Sequence, residues 1–289
     1  MTIKIGINGF GRIGRLALRA AWHRDDYEIV QINELAGDAT AAAHLLKYDS
    51  VHGTWDKAIS GDLSGTEASI CIDGKSIAYT QNKNIADTDW SAVDIVVECT
   101  GTFKSQQALA PYFDQGVKKV VVSAPVKDGT LNVVMGVNDH LYTNQTIVTA
   151  ASCTTNCLAP VVDVLQKTFG IKHAAITTIH DITNTQSILD EYHNDLRRSR
   201  ASGLSLIPTS TGSATAITEI FPELKGRING VAVRVPLANA SLTDCVFELN
   251  SEVSVEQVNG ALRDAAEGRL KGILGFSDLP LVSVDYTND

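Results

Sequence analysis

The first half of the chain alternates short apolar runs with segments of helical periodicity. Residues 3–8 predict a strand, residues 12–24 a helix and residues 28–33 a second strand. Further elements are predicted as strands at 94–98, 120–123 and 146–149 and as an amphipathic helix near 106–115. This alternation indicates βαβ units, in which the strands lie parallel. The first half is therefore predicted to be an α/β domain.

The second half has longer strands and a different character. Helices are predicted at 156–169 and 255–267, because apolar residues recur there every three to four positions. Strands are predicted at 173–182, 228–235, 241–249 and 282–286. This mixture is typical of an α+β domain with a largely antiparallel sheet. No flexible linker separates the halves, which predicts domains of 1–152 and 153–289 with a tight joint near Ala151.

Composition narrows the classes of function. The 289 residues include 33 acidic and 24 basic side chains, a net charge of −9, which argues against a general binder of nucleic acid or of membrane surfaces. We find no signal peptide and no apolar stretch of about 18 residues, so a cytoplasmic protein is expected. The five cysteines have neither a disulfide-framework nor a zinc-ligand spacing, and no metal is expected.

A glycine-rich turn follows the first predicted strand and opens the first helix. It reads Gly9-Phe10-Gly11-Arg12-Ile13-Gly14, and Glu34 closes the second strand. Glycines let a backbone approach a pyrophosphate at a helix N-terminus, and an acid placed like Glu34 accepts hydrogen bonds from ribose hydroxyls. The pattern predicts a Rossmann dinucleotide site that prefers NAD, because the carboxylate repels a ribose phosphate. The alternatives are a tight structural turn and an ordinary loop acid.

Cys153 lies where the strand at 146–149 gives way to a long helix. A helix N-terminus favours the thiolate and so lowers the pKa of a cysteine. A thiolate of this kind attacks carbonyl carbons, and His180, at the end of a later strand, is a candidate base for it. The alternatives are a buried, inert cysteine and a structural histidine.

Hydroxyl groups and arginines form a third group of candidates. They supply hydrogen-bond donors in fixed geometry, which suits phosphate oxygens. The residues are Thr183, Arg197, Arg198, Thr209, Ser210, Thr211, Gly212 and Arg234. The alternative is that these side chains are ordinary solvated surface.

The chain also resembles glyceraldehyde-3-phosphate dehydrogenases almost from end to end. The resemblance rests on ordered blocks, namely INGFGRIGR (7–15), YDSVHG (48–53), ECTG (98–101), VVSAP (121–125), ASCTTNC (151–157), TTIHD (177–181), DLRRSRA (195–201), IPTSTG (207–212) and RVPLANASLTD (234–244). It implies NAD-dependent, phosphorylating oxidation of glyceraldehyde 3-phosphate to 1,3-bisphosphoglycerate. Cys153 would be the nucleophile, passing through a thiohemiacetal and a thioester, and His180 its base.

The resemblance also implies roles for the remaining candidates. Thr183, Arg198 and Arg234 would hold the substrate phosphate, and Ser152, Thr154, Thr211 and Gly212 would surround inorganic phosphate. The cofactor residues would be Gly9, Gly11, Arg12, Ile13, Gly14, Glu34, Thr100, Ser123 and Asn184. A homotetramer is implied.

Several phrases, among them TNTQSILD (183–190) and TGSATAITEIFPEL (211–224), resemble the subgroup associated with arsenic-resistance operons. That resemblance implies arsenate in place of phosphate and 1-arseno-3-phosphoglycerate as the product. Members of the family continue beyond the equivalent of Asp289, so a C-terminally truncated chain is expected. Erythrose-4-phosphate dehydrogenase and a truncated, non-catalytic nucleotide-binding protein are the alternative functions.

Overall fold

A computed structural model describes residues 2–64, 67–209 and 212–289. These residues form two compact units. The first comprises the chain through Val133 together with Tyr142–Ala151. The second comprises Val134–Leu141 and Ser152–Asp289, so a short segment leaves the first unit before the chain returns to it.

The first unit is built around a predominantly parallel sheet. Its elements, in chain order, are β1 (Ile3–Asn8), α1 (Arg12–Ala21), β2 (Tyr27–Asn33), α2 (Ala39–Lys47), β3 (Tyr48–Asp49), β4 (Gly53–Thr54), β5 (Ile59–Asp62), β6 (Ser69–Ile72), β7 (Lys75–Thr80), a 3₁₀ turn (Ile85–Asp87), β8 (Ile95–Glu98), α3 (Gln106–Asp114), β9 (Lys119–Val122), β10 (Leu131–Asn132) and β11 (Ile147–Thr149). Within the described residues the sheet order is β10-β11-β9-β8-β1-β2-β7-β6-β5. Strands β10 to β7 pair in parallel, and β6 and β5 complete the edge in antiparallel fashion.

Buried apolar side chains hold the helices against this sheet. One cluster includes Ile7, Leu18 and Ile32, and another surrounds Trp90 and Tyr112. All five side chains are at most 2% exposed. Their burial removes nearly their whole apolar surface from water, which is the main favourable contribution to folding.

A buried polar network joins the carboxyl ends of three neighbouring strands. Asn8, at the end of β1, donates to Glu98 at the end of β8 (3.0 Å) and to the Tyr112 hydroxyl (2.6 Å). Tyr112 also donates to Glu98 (2.7 Å), and Asn33, at the end of β2, donates to Asn8 (2.8 Å). Buried polar groups that are fully partnered fix a unique arrangement. The network therefore sets the edge of the sheet at which the glycine-rich turn begins.

The second unit carries the smaller sheet. Its elements are a 3₁₀ turn (Asp139–Leu141), α4 (Cys153–Thr168), β12 (Ile171–His180), β13 (Ile207–Thr209), α5 (Ser213–Ile220), a 3₁₀ turn (Pro222–Leu224), β14 (Ile228–Arg234), β15 (Leu242–Leu249), α6 (Val255–Glu267) and a 3₁₀ turn (Ser283–Tyr286). The sheet order among the described residues is β13-β14-β12-β15. The β12–β14 pair is parallel, whereas β12–β15 and β13–β14 are antiparallel.

The segment Val134–Leu141 is anchored within this second unit. Gly136 has φ +75°, and a Cβ built there would lie 2.7 Å from Ile273 Cδ1 and 2.8 Å from Leu270 Cδ2. Val134 is 1% exposed. The segment therefore lies against Leu270 and Ile273 of the second unit, although its sequence neighbours belong to the first unit.

The predicted strand at 282–286 is wrong. Residues Ser283–Tyr286 form a 3₁₀ turn, in which Val282 N–H donates to Asp285 Oδ2 (2.7 Å) and Thr287 N–H donates to the Val284 carbonyl (3.2 Å). The valines alternate with polar residues as in a strand, but the aspartate offers the backbone a local partner instead.

Most other boundaries lie within a few residues of the predicted ones. Helix α6 occupies the predicted range, and α4 begins at Cys153, three residues before the predicted start. Helices α2 and α5 and strands β3–β7, β10 and β13 were not predicted. No helix among the described residues is long and apolar enough to cross a membrane.

We expect Gly14→Ala to destabilise the protein by about 1–3 kcal/mol, because the added Cβ would lie 2.2 Å from the Gly9 carbonyl oxygen. The matched variant is Gly11→Ala in the same turn. A Cβ on Gly11 meets nothing within 4 Å, so the cost there is at most about 1 kcal/mol, for a less favourable N-cap. Urea denaturation of both variants measures the difference, and equal stabilities would contradict the close packing of α1 on β1.

Candidate active site

Cys153 is the first residue of α4 and is exposed. Ser152 caps the helix, with its hydroxyl accepting from Thr155 N–H (3.3 Å). The Ser152 carbonyl accepts from both the backbone and the side chain of Asn156 (2.9 Å each). The remaining N–H groups of the first turn give this end a partial positive charge. The cap therefore fixes the cysteine at the position where a thiolate is best stabilised.

His180 ends β12 and reaches the cysteine. Its Nε2 lies 3.5 Å from Cys153 Sγ, and the residue is only 7% exposed. The hydrogen bond from His180 lowers the pKa of Cys153 below its ordinary value. Hydrogen bonds to Asp181 and then to Cys153 raise the pKa of His180 to about 9. Both shifts favour a thiolate on Cys153 beside an imidazolium on His180.

Arg234 lies on the other side of His180. It ends β14, and the parallel ladder pairs it directly with His180. Its Nη1 donates to the Asp181 carbonyl (2.6 Å) and lies 3.1 Å from His180 Nδ1. Burial lowers the pKa of Arg234, and the positive charge of Arg198 lowers it further. Two guanidinium groups close to one another and to a thiol constitute a strong attraction for an anion.

The other predicted phosphate ligands lie in the same unit. Arg198 donates twice to the Thr209 hydroxyl (3.0 and 2.8 Å). Thr209 is itself one of the hydroxyl candidates. Thr154 is buried next to Cys153, with its hydroxyl 4.0 Å from Sγ.

Two further candidates sit on loops, and others cannot be placed. The Thr183 hydroxyl contacts Gln186 and Thr185 (3.0 Å each) rather than the dyad, and Gly212 is the N-cap of α5. The candidates Ser210 and Thr211 lie outside the described residues.

The glycine-rich turn of the first unit has the geometry of a dinucleotide cradle. Gly9 has φ +87°, and a Cβ there would lie 2.5 Å from Thr100 N. Gly14 packs against Gly9, whereas a Cβ on Gly11 would project into open space. Helix α1 begins at Arg12 with no side-chain cap and no acid in its first turn. Open space above uncapped N–H groups suits a pyrophosphate, so these residues fit a dinucleotide.

Glu34 and Arg12 are both held by partners in this unit. The Glu34 carboxylate accepts from Phe10 N–H (2.6 Å) and Ala36 N–H (2.8 Å), which fixes it beside the turn at the end of β2. The Arg12 guanidinium pairs with Asp49 (2.9 Å). Because the guanidinium is paired, the backbone N–H of Arg12 is the group available to an anion at the helix end.

Thr100 and Ser123 follow β8 and β9, the next strands in the sheet. Thr100 donates to Glu98 from its N–H (2.8 Å) and from its hydroxyl (2.5 Å). Ser123 N–H donates to the Glu98 carbonyl (2.9 Å). Both thus lie at the carboxyl edge of the parallel sheet, where ligands of such sheets bind. Asn184 belongs to the second unit.

Two residues of the dyad's surroundings were missed by the sequence analysis. Asp181 Oδ1 lies 2.6 Å from His180 Nδ1, and Ser241 contacts both residues. The sequence offers one signal, an acid next to the candidate base, but neighbouring residues of a strand point to opposite faces. Among the described residues no cluster of His, Cys, Asp and Glu is suited to hold a metal ion.

Two family models match the chain in succession. Residues 3–106 match the NAD binding domain of glyceraldehyde 3-phosphate dehydrogenase, and residues 152–289 match its C-terminal domain. The predicted fold class, a Rossmann domain followed by a catalytic domain with a largely antiparallel sheet, is confirmed. The prediction of NAD as cofactor is confirmed by the first of these matches.

Named relatives are similar over nearly the whole chain. Glyceraldehyde-3-phosphate dehydrogenase 3 of Nostoc sp. (strain PCC 7120) is 56% identical over 294 residues, covering 100% of this chain and 86% of the relative. Glyceraldehyde-3-phosphate dehydrogenase 1 of Bacillus cereus is 53% identical (98% of this chain and 84% of the relative covered), and glyceraldehyde-3-phosphate dehydrogenase of Geobacillus stearothermophilus is 50% identical (99% and 85%). The chain therefore belongs to the glyceraldehyde-3-phosphate dehydrogenase family and is an NAD-dependent dehydrogenase.

Proposed function

We propose that the chain oxidises glyceraldehyde 3-phosphate and transfers the product to phosphate, with Cys153 as nucleophile and His180 as acid and base. The observation that carries this proposal is the 3.5 Å contact between Cys153 Sγ and His180 Nε2 at the start of α4. The named relatives are glyceraldehyde-3-phosphate dehydrogenases, which supports the choice of aldehyde.

The first step is capture of the aldehyde. The Cys153 thiolate attacks the carbonyl carbon, a C–S bond forms, and the carbonyl electron pair moves to oxygen. His180 Nε2 gives its proton to that oxygen, which yields a thiohemiacetal. His180 Nδ1 faces two oxygen acceptors of Asp181 (2.6 and 2.9 Å), so it keeps its hydrogen and Nε2 is the nitrogen that exchanges a proton.

Oxidation then converts the thiohemiacetal into a thioester. Now neutral, His180 Nε2 takes the hydroxyl proton back as the C–H bond breaks. NAD, when bound, accepts the hydride. A phosphate oxygen next attacks the thioester carbon, the C–S bond breaks, and the thiolate leaves beside the His180 imidazolium. The acyl phosphate departs with the dyad in its starting state.

The cofactor residues proposed in the first unit are the glycine turn, Glu34, Thr100 and Ser123, and Asn184 is proposed as a further cofactor residue. The backbone N–H groups of Arg12 and Ile13 would hold the pyrophosphate. The Glu34 carboxylate, which is fixed by Phe10 N–H and partly exposed, would accept from the ribose hydroxyls and repel a ribose phosphate. NAD is therefore preferred over NADP.

For the anions we assign Arg234, Arg198 and Thr183 to the substrate phosphate. Ser152, Thr154, Thr211 and Gly212 are assigned to the attacking anion. The like charges of Arg198 and Arg234, close enough for one to lower the pKa of the other, support an anion between them.

Arsenate is proposed as a second acceptor at the same site. The sequence phrases shared with the arsenic-associated subgroup support this choice, and arsenate has the same charge and tetrahedral shape as phosphate. The product in that case is 1-arseno-3-phosphoglycerate.

We further propose that the chain assembles as a homotetramer in the cytoplasm. Large apolar side chains stand exposed along residues 188–206, among them Ile188 (88%) and Leu204 (84%). Exposed apolar surface of this density is typical of an interface between chains.

We expect Cys153→Ser to lose at least about a thousand-fold in turnover of glyceraldehyde 3-phosphate, because a serine hydroxyl does not ionise at neutral pH. The assay follows NADH formation at 340 nm. Cys157→Ser, four residues along the same helix, is the matched control and keeps turnover near that of the unsubstituted chain. Retained turnover in Cys153→Ser would overturn the proposed nucleophile.

For the acceptor, we expect phosphate and arsenate to compete. Initial rates at mixed concentrations of the two anions should give each an inhibition constant equal to its own KM, because one site binds both. Rates that add without competition would contradict a shared site.

Sedimentation velocity of the purified chain measures the assembly. We expect a single species of four chains, since the exposed apolar residues of 188–206 would be covered in it. A monomer at micromolar concentration would overturn the proposed tetramer.

A further inference from the structure

The carboxylate of Asp181 folds back onto the histidine that precedes it. Its Oδ1 lies 2.6 Å from His180 Nδ1, with the His180 side chain 9% and the Asp181 side chain 20% exposed. The Asp181 carbonyl oxygen lies 2.9 Å from the same nitrogen. The side of the imidazole opposite Cys153 therefore faces two oxygens of a single residue.

Ser241, immediately before β15, fixes this carboxylate. Its hydroxyl donates to Asp181 Oδ1 (3.2 Å) and accepts from Asp181 N–H (3.1 Å). The same hydroxyl oxygen lies 3.3 Å from His180 Nδ1. Asp181 is thus held from the neighbouring strand rather than left free on the loop after β12.

Arg234 disfavours the positive charge on His180, whereas Asp181 favours it. Its Nη1, a donor with a positive charge, lies 3.1 Å from His180 Nδ1, which is also a donor when the ring is charged. The charged and titratable groups acting on His180 are therefore Cys153, Asp181 and Arg234. Without the carboxylate, the guanidinium would favour the neutral imidazole and so the uncharged thiol.

We propose that Asp181 is a positioning residue, which keeps Nδ1 of His180 protonated and holds the imidazolium beside the Cys153 thiolate against the charge of Arg234. The inference rests on the proposed function only where it implies an effect of Asp181 on turnover. The charge state of the dyad itself is measurable without substrate. Asp181 takes no proton in this scheme and touches neither the aldehyde nor the acceptor anion.

The direction of the pH dependence follows from the same contacts. Asp181 is the leading cause that raises the pKa of His180 to about 9, against burial and Arg234. The ion pair therefore persists until the pH rises through about 9. Removing the carboxylate lowers that upper limit toward the ordinary histidine value of about 6.5, and raises the pKa of Cys153.

The test is the rate of Cys153 alkylation by iodoacetamide between pH 5 and 10. In the unsubstituted chain we expect the rate to level off at a pH below the ordinary cysteine pKa of about 8.5, and in Asp181→Asn to fall about ten-fold at pH 7 with its inflection moved to higher pH. Cys153→Ser supplies the background. Cys99 and Cys245 contribute little at pH 7, since burial raises the pKa of each to about 11.

Asp244→Asn is the matched control. Asp244 is exposed on β15 opposite Thr177. Its substitution by asparagine therefore makes the same change of charge at a residue that does not contact His180. Its profile should superimpose on that of the unsubstituted chain. Asp181→Glu keeps the charge and should recover at least half of the lost rate. A profile of folded Asp181→Asn that also superimposes would overturn the proposal.

If Asp181→Asn does not fold, Ser241→Ala provides the second variant. It keeps the carboxylate and removes the hydroxyl that fixes it, so we expect a rate decrease of about two- to five-fold at pH 7. An unchanged profile in Ser241→Ala would then overturn the proposal. Failure of the proposed function would look different, because the unsubstituted chain would show the alkylation profile without oxidising glyceraldehyde 3-phosphate.

Discussion

The ladder between β12 and β14 is the constraint on which the arrangement around Cys153 and His180 depends. It pairs His180 with Arg234 at the last residue of both strands. On its other edge, β12 pairs with β15, which brings Ser241 alongside Asp181. A slip of one residue would turn these side chains to the opposite face of the sheet and would break both ladders. The chemistry of the thiol is therefore fixed by backbone pairing far from α4 in sequence.

Around the dyad, groups of opposite charge alternate in space. Cys153 adjoins His180, the carboxylate of Asp181 adjoins that ring, and Arg234 contacts both His180 and Asp181, so a thiolate–imidazolium pair would lie within alternating charges. Each charge is offset by a neighbour, which makes partial burial tolerable. Arg198 adds a further positive charge, which lowers the pKa of Arg234.

A feature of this chain can be predicted from the sequence when the residues that determine it lie close together in the chain. The glycine turn and Glu34 are predictable because their requirements lie within one βαβ unit, and Cys153 because a helix start is a local signal. The contact of His180 with Asp181 is not predictable in this way, since it requires the strand to end at residue 180 and the hydroxyl of Ser241, just before β15, to hold the carboxylate. The turn at Ser283–Tyr286 is a local feature that the sequence analysis predicted wrongly. The hydrogen bond from Val282 N–H to Asp285 favours the turn over the strand that the alternation of apolar residues predicted.

The excursion of Val134–Leu141 into the second unit means that the two units are not separated by a single cut in the chain. A fragment ending at Ala151 would carry Gly136 without the side chains of Leu270 and Ile273 that lie against it. Recombining the nucleotide-binding half with a catalytic half from another relative would likewise require exchange of this segment together with the catalytic half. The two halves are thus linked by these eight residues, which precede the boundary at Ala151 in sequence but belong to the second unit.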